Sequence, residues 1–518
     1  MDGATGQADL RPPGEAPVPG DTPTGTEWDW SGSEPVELGW LDRHPSASVM
    51  VGIALASSVV VGAAVALKPK LAVMAVLAVA GGLAVLRRPA VGGYLLAGLV
   101  PITSGLVNGF PVPGFRLSEL LIGTLSAAIL LPASARQTLR WRALDWFLLA
   151  YVVGAAGIGG YSLHQDGVAL STSVVGTLFG PAQFLLLYRA VAVSLPLRSE
   201  RNVALRLLIL GSIPVSLIAL AQQLRIAGIN NVVSHITGST VFYGTGYFFA
   251  RATGPFDHWT PLAGYLLVIL LLGISLLLHG VEGVLSRSTM LLILGLDALG
   301  LLLSAELSAM IALIVTGLAL GLWSGRMRYL LRWGLLVVLL LAASFGSYLQ
   351  KRLSTEFYSS AGSDRSALVP QTLQFRFNVW TQQYFPAIHA HLLYGYGPVL
   401  PSSIIWQYTE SQYVTFLMWG GVPLLLLFIA AMWALFARAR AMARPMGDDP
   451  ARWAMARTVA LLAVATYFID SIYPYMTSAG FPQALWVLVG IMVATEHGFH
   501  SAQRVPPRSV PSVVPFLR

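Results

Sequence analysis

The groups able to do chemistry in this sequence are few and lie close to turns and aromatic residues. Arg116 stands in "FRLSELL", Arg251 in "RATGPFDHWTP" and Arg376 in "RFNVW". A guanidinium offers a planar fork of donors that grips phosphate or pyrophosphate in a bidentate way. Salt bridging within the protein is the competing use of Arg251 and Arg376. Groups able to take a proton from a hydroxyl accompany them: Asp257 and His258, then His391 in "HLLYGYGP", then Glu410 in "YTESQYVTFLMWGG". Glu306 sits in the small-residue turn "LLSAELSAM". Anion capture by arginine and proton removal by Glu410 or His391 are therefore the chemistry to look for. His389 and His391 are two residues apart, so on a helix they face different ways. No Cys occurs, and no HxxxH spacing or carboxylate triad joins the two histidines. We expect no metal site and no cofactor. Gly395-Tyr-Gly-Pro398 follows no strand, and Pro398 has no N–H, so it reads as a tight turn and not as a nucleotide loop.

The elements that must position these groups are apolar. Of 518 residues, 55% are hydrophobic and only 11% charged, with mean hydropathy +0.67. Soluble domains carry about 25% charged residues. Repeated apolar runs of about 18 or more residues then define an all-α polytopic membrane protein. The sequence divides into about 14 transmembrane segments: 49–67, 70–86, 90–107, 117–132, 143–160, 172–194, 205–227, 261–279, 289–304, 306–324, 330–349, 415–437, 457–473 and 479–495. Residues 1–46, rich in Pro, Gly and acidic side chains, have too little apolar surface to offset their ordering entropy and read as a disordered tail. Residues 47–496 form the bundle, and 497–518 form a second tail.

Basic residues fix the expected orientation. Lysine occurs only at Lys68, Lys70 and Lys351, so arginine carries nearly all the positive charge. Loops holding Arg87 and Arg88, Arg198 and Arg201, Arg326 and Arg328, and Arg438, Arg440 and Arg444 all fall on one side if the spans alternate. That side is expected to be cytoplasmic, with both termini on it. Two long loops, 228–260 and 350–414, then face outward, the second between the eleventh and twelfth spans. Loops of this length in a compact bundle are usually functional or disordered. Within the second, "QTLQFRFNVWTQQYFPAI" reads as a helix lying at the interface, ended or kinked by Pro386.

In this order, these pieces resemble the O-antigen ligase and polymerase family, multi-span glycosyltransferases with a GT-C-like fold. The resemblance covers roughly 250–430: "RATGPFDHWTPLAGYL", "LLSAELSAM", "RFNVW", "HLLYGYGP" and "TESQYVTFLMWGGVPLLLLF". The family's ligases keep a His where this chain has Glu410-Ser-Gln-Tyr413, which looks more like the polymerase branch. The 304–308 turn also lacks the family's usual Arg. The resemblance implies transfer of a polyprenyl-pyrophosphate-linked glycan donor to a glycan or lipid acceptor on the outer face of the cytoplasmic membrane, in cell-surface or exopolysaccharide assembly. It implies Glu410 and His391 as catalytic candidates, with Arg116, Arg251, Arg376, Trp380 and Tyr413 contacting substrate. Membrane lipids and other polysaccharide-assembly proteins are the expected partners, and nucleic acid is not. A multi-span transporter or lipid-linked glycan flippase is the rival reading. Transporters tend to show two related halves with broken helices at midplane, and no such repeat is evident here.

Overall fold

The computed structural model describes residues 81–106, 116–135, 141–238, 251–332, 370–444 and 449–502, with isolated positions between 334 and 350. Only helices, turns and irregular segments occur among them, and no strand. In chain order the helices are α1 (Pro89–Thr103), α2 (Leu117–Ala135), α3 (Ala143–Gln165), α4 (Thr172–Phe179), α5 (Ala182–Ser194), α6 (Arg198–Leu210), α7 (Ser212–Gln223) and α8 (Ile229–Thr237). Then come α9 (Trp259–His279), α10 (Arg287–Ser304), α11 (Leu307–Trp323), α12 (Gln371–Val379), α13 (Phe385–Ala390), α14 (Gln412–Met442), α15 (Pro450–Ile472) and α16 (Phe481–Ala502).

Six of these stretches are long and apolar enough to cross a membrane, or seven if the α4–α5 pair, bent by 53°, counts as one span. The expected segment 49–67, most of 70–86 and most of 330–349 lie outside the described residues, as do the expected tail 1–46 and residues 503–518. The other eleven segments overlap described helices. Three of them are broken: 172–194 divides at Gly180-Pro181, 205–227 overlaps a helix pair that divides at Gly211, and 415–437 is interrupted at Gly420-Gly421. Helix α9 is the axis. Leu262 to Leu272 are buried without interruption, as expected for a helix apolar on every face. Around it pack α10, α11, α15 and α16, and α14 lies between α3 and α15.

The helices alternate in direction, so the connections collect at two ends. At one end Arg206 donates to the carbonyls of Gly283 and Val284, Arg438 pairs with Glu496 at 3.0 Å, and Arg457 meets His279. At the other, Ala252 N–H bonds to the Leu303 carbonyl, Gly480 N–H to Ser104, and Ser308 to the Tyr475 hydroxyl. The described arginines crowd the first end; the second keeps Arg116, Arg225, Arg251 and Arg376.

This second end is built on a break in α14. Gly420 and Gly421 leave helical geometry, the latter with φ 63°. The break strips Met418 and Trp419 of helical partners, and the 391–398 turn supplies new ones. Tyr396 N–H donates to the Met418 carbonyl (2.6 Å), Gly397 N–H to that of Trp419 (3.0 Å), and Val422 N–H to that of Leu392 (2.9 Å). Irregular backbone inside a membrane bundle is tolerated where it is satisfied in this way. The approach needs glycine. A Cβ on Gly395 (φ 61°) would meet the Met418 carbonyl oxygen at 2.3 Å, and one on Gly421 would meet that of Leu392 at 2.4 Å. The expected tight turn is present, and it is also the bolt between loop and bundle.

We expect Gly395→Ala to lower the melting temperature of the detergent-solubilised protein sharply, because left-handed strain of roughly 1–2 kcal/mol adds to a backbone clash. Gly157→Ala on α3, where a Cβ meets nothing within 4 Å, should leave it unchanged or slightly raised. Equal melting of the two variants would contradict this reading of the turn.

Candidate active site

Helix α12 continues through one wide π turn (Trp380–Tyr384) into α13. Pro386 has no N–H to give the preceding turn, and Phe385 N–H bonds five residues back to the Trp380 carbonyl. The helix therefore does not end at Pro386 but continues through the π turn to Ala390. Arg376, Trp380 and Tyr384 are spaced by four and reach one neighbouring segment, 404–411. Tyr384 Oη donates to the Trp406 carbonyl (2.6 Å), and Trp380 Nε1 donates to that of Thr409 (2.7 Å). Gln383 Oε1 accepts from the N–H groups of Ile405 and Trp406, both at 3.0 Å. Arg376 Nε meets Glu410 Oε2 at 3.1 Å. Two residues 34 apart in sequence are thus an ion pair, and both keep some exposure, 18% and 17%.

Glu410 has φ 56°, a left-handed conformation uncommon for a residue with a side chain. Its neighbours impose it: Thr409 is strapped to Trp380 and bonded to Thr415, and Ser411 Oγ donates to the Asp470 carbonyl. Strain held this way concentrates at functional sites. A cleft of about 220 Å³ opens beside it, lined by Pro398, Leu400, Gln407, Tyr408, Glu410, Trp419, Tyr473 and Thr477 among others.

Tyr473, just past α15, joins this cleft to a second group of residues. Its ring stacks on His258 (5.5 Å, 11°) and meets Tyr475 edge-on. Burial raises the Tyr473 phenol's pKa, and the negative fields of Asp257, Glu410 and Glu306 raise it further. Burial likewise raises the Asp257 carboxyl, against an opposing pull from Arg116. Arg251 lies over the Trp259 ring at 4.4 Å. Burial first, and Arg251 second, push His258 down to about 3. His258 Nδ1 accepts from the Thr260 N–H at 3.3 Å and so caps α9 in its neutral form.

Glu410, Arg376 and Trp380 therefore come together. Arg116 acts on Asp257, and Arg251 on His258, whose ring stacks on Tyr473. Of the site residues expected from sequence, Glu410 alone lines the cleft; Arg376 and Trp380 hold its 409–410 edge from outside, and Arg116, Arg251, His391 and Tyr413 do not line it. The His391 ring packs on Tyr396 (4.2 Å) and Tyr394 (5.2 Å), and Tyr413 Oη donates to the Tyr467 carbonyl on α15. Tyr473 and Tyr475 went unselected by sequence reasoning. Their signal was present: a carboxylate, Asp470, near the end of an apolar span, followed by Tyr473-Pro-Tyr475. No cluster of three or more metal-ligating side chains occurs among the described residues.

Apolar helices long enough to span, with a cleft at one end of the bundle, define a multi-pass membrane protein. Residues 289–429 match the family model described as O-antigen ligase, a region that contains Glu306, Arg376, the broken helix and Glu410. The match supports an O-antigen ligase-family protein. No curated protein matches the chain.

The depressed His258 pKa sets a pH dependence. Unfolded, the imidazole protonates below about 6.5; folded, it stays neutral until about 3. Protons therefore favour the unfolded chain between those values, and stability falls as pH drops through that window. We expect the melting temperature to decline from pH 6.5 to 4, and His258→Gln to flatten that decline. An unchanged slope in the variant would contradict the assignment.

Proposed function

We propose that this chain is a membrane glycosyltransferase that polymerises or ligates glycans carried on polyprenyl pyrophosphate. It would act at the outer face of the cytoplasmic membrane. The observation that carries the reading is Glu410, strained and gripped by Arg376, at the edge of a cleft within the matched region. The arginine-rich end is the cytoplasmic one under the positive-inside rule, which turns the cleft outward.

In this mechanism an acceptor hydroxyl attacks the anomeric carbon of the donor sugar. The new glycosidic C–O bond forms as the bond to pyrophosphate breaks, and the electron pair leaves on polyprenyl pyrophosphate. Glu410 takes the hydroxyl proton. Arg376 spends its Nε on Glu410, which leaves the Nη edge of its fork for the pyrophosphate oxygens. Arg251 and Arg116 provide further positive charge on the same end. Trp380 and Tyr413 act through position: one holds the Thr409 carbonyl, the other fixes the start of α14 to α15. His391 braces the turn that carries Tyr396. Transfer is favoured over transport because the bundle axis, α9, is filled with buried side chains while the cleft lies at one end.

Glu410→Gln is nearly isosteric and removes the base. A positioned base contributes about 10²–10⁴-fold, so polymer or ligated product in cells should fall to a trace at unchanged protein level by immunoblot. Arg376→Lys should be impaired and Arg376→Ala worse, and His391→Ala should lose less than Glu410→Gln. Full product from a stably expressed Glu410→Gln protein would overturn the proposal.

A further inference from the structure

We infer that the arginine-rich end holds a site for the phosphate of an anionic phospholipid, at the foot of α11. Arg457 Nη1 lies 2.8 Å from His279 Nε2. His279 Nδ1 is 2.8 Å from the Ser275 carbonyl, which can only accept, so the ring proton sits on Nδ1 and Nε2 receives the guanidinium. This histidine is neutral and cancels none of the arginine's charge. Arg457 Nε is buried and forms no hydrogen bond among the described residues. Arg326 Nη1 donates to the Leu278 carbonyl one residue away, and the Arg457 guanidinium lies 5.6 Å from the Trp323 ring centre.

Most described carboxylates of this end are engaged elsewhere. Glu496 pairs with Arg438 and Asp145 with Arg189; Glu200 accepts from the Leu197 N–H; Asp449 caps α15 and faces Arg201. Glu282 is exposed on the turn after α9. Arg457 and Arg326 thus both border a neutral imidazole, one at its Nε2 and the other at the carbonyl beside it, with no carboxylate in ion-pair range among the described residues. Directly above them α11 exposes a stripe at helical spacing: Ile311, Ile314, Val315, Leu318 and Leu322, the last 69% exposed. An apolar stripe ending on unbalanced arginines fits one amphiphile, with acyl chains along α11 and a phosphodiester on Arg457 and Arg326. Free phosphate shares the headgroup chemistry but leaves the stripe uncovered.

The test titrates phosphatidylglycerol into the purified full chain in detergent and reads thermal stabilisation, with phosphatidylcholine and inorganic phosphate as separate arms. Phosphatidylglycerol should stabilise, and the other two should not. At about 1 kcal/mol per arginine, Arg326→Gln/Arg457→Gln should weaken its apparent affinity roughly 30-fold. Arg326→Gln alone, at an exposed position, should weaken it several-fold, with lipid-free melting measured alongside because Arg326 also holds the Leu278 carbonyl. Arg444→Gln, exposed at the same end, should match wild type. Equal stabilisation by phosphatidylcholine, equal stabilisation by inorganic phosphate, or undiminished affinity in Arg326→Gln would each overturn the inference.

Discussion

Two backbone N–H groups, those of Tyr396 and Gly397, tie the loop to the bundle at the cleft end of this protein. They donate to the carbonyls of Met418 and Trp419, which α14 leaves without helical partners where Gly420 and Gly421 interrupt it. A carbonyl stranded inside a membrane bundle costs several kcal/mol, and lipid offers it no donor. The broken helix and the glycine turn are therefore one unit, each satisfying the other. Helix α3 closes the arrangement from the far side: Ser162 Oγ donates to the Tyr394 carbonyl, and Gly397 packs on the Gly159 backbone.

From that anchor the geometry of the site follows in short steps. The 391–398 turn fixes the end of α13, and the α12–π–α13 rod presents Arg376, Trp380, Gln383 and Tyr384 to residues 404–410. Three of those side chains bind backbone, which clamps an extended segment without any sheet. The fourth, Arg376, takes the Glu410 carboxylate. Past Glu410 the chain must turn sharply into α14, and the left-handed backbone at that residue is the cost of the turn. Tyr473 then reaches the same cleft from the end of α15 through a turn tied to the bundle: Tyr475 N–H binds Asp470, and Thr477 binds Gln412.

Much of the bundle was legible in the sequence because lipid-facing and core positions both demand apolar side chains, so length alone marks a span. The breaks were not. Gly180-Pro181, Gly211 and Gly420-Gly421 lie inside continuous apolar runs, and hydropathy does not register a change of direction. Arg376 and Glu410 could each be picked out as rare polar groups at span ends. Their pairing depends on a loop closing over 34 residues, which no local pattern records. His391 and Tyr413 show the reverse: both types suit chemistry, yet one is packed between tyrosines and the other donates to a helix carbonyl. Tyr473 carries no such mark, because an aromatic just past an apolar span is common at a membrane interface. Its surroundings of Asp257, Glu306 and Glu410 arise only from folding.

The two ends of the molecule solve opposite electrostatic problems. One gathers carboxylates, a tyrosine and a few arginines around a cleft; the other concentrates arginines against helix C-termini and carbonyls, where positive charge is favoured. A transporter would need open polar groups along the axis; here Leu266–Leu272 of α9 are all buried Leu, Val or Ile, and the nearby buried carboxylate, Asp297, is satisfied by Ser212 and Ser216. The central claim is thus bond transfer at the bundle's edge. It is tested most directly by reconstituting the protein in vesicles with an outward-accessible lipid-linked oligosaccharide, then measuring glycan joining and free polyprenyl pyrophosphate together. The account predicts one polyprenyl pyrophosphate released for every glycan joined. Intact lipid-linked oligosaccharide crossing to the opposite leaflet, with no release, would contradict it.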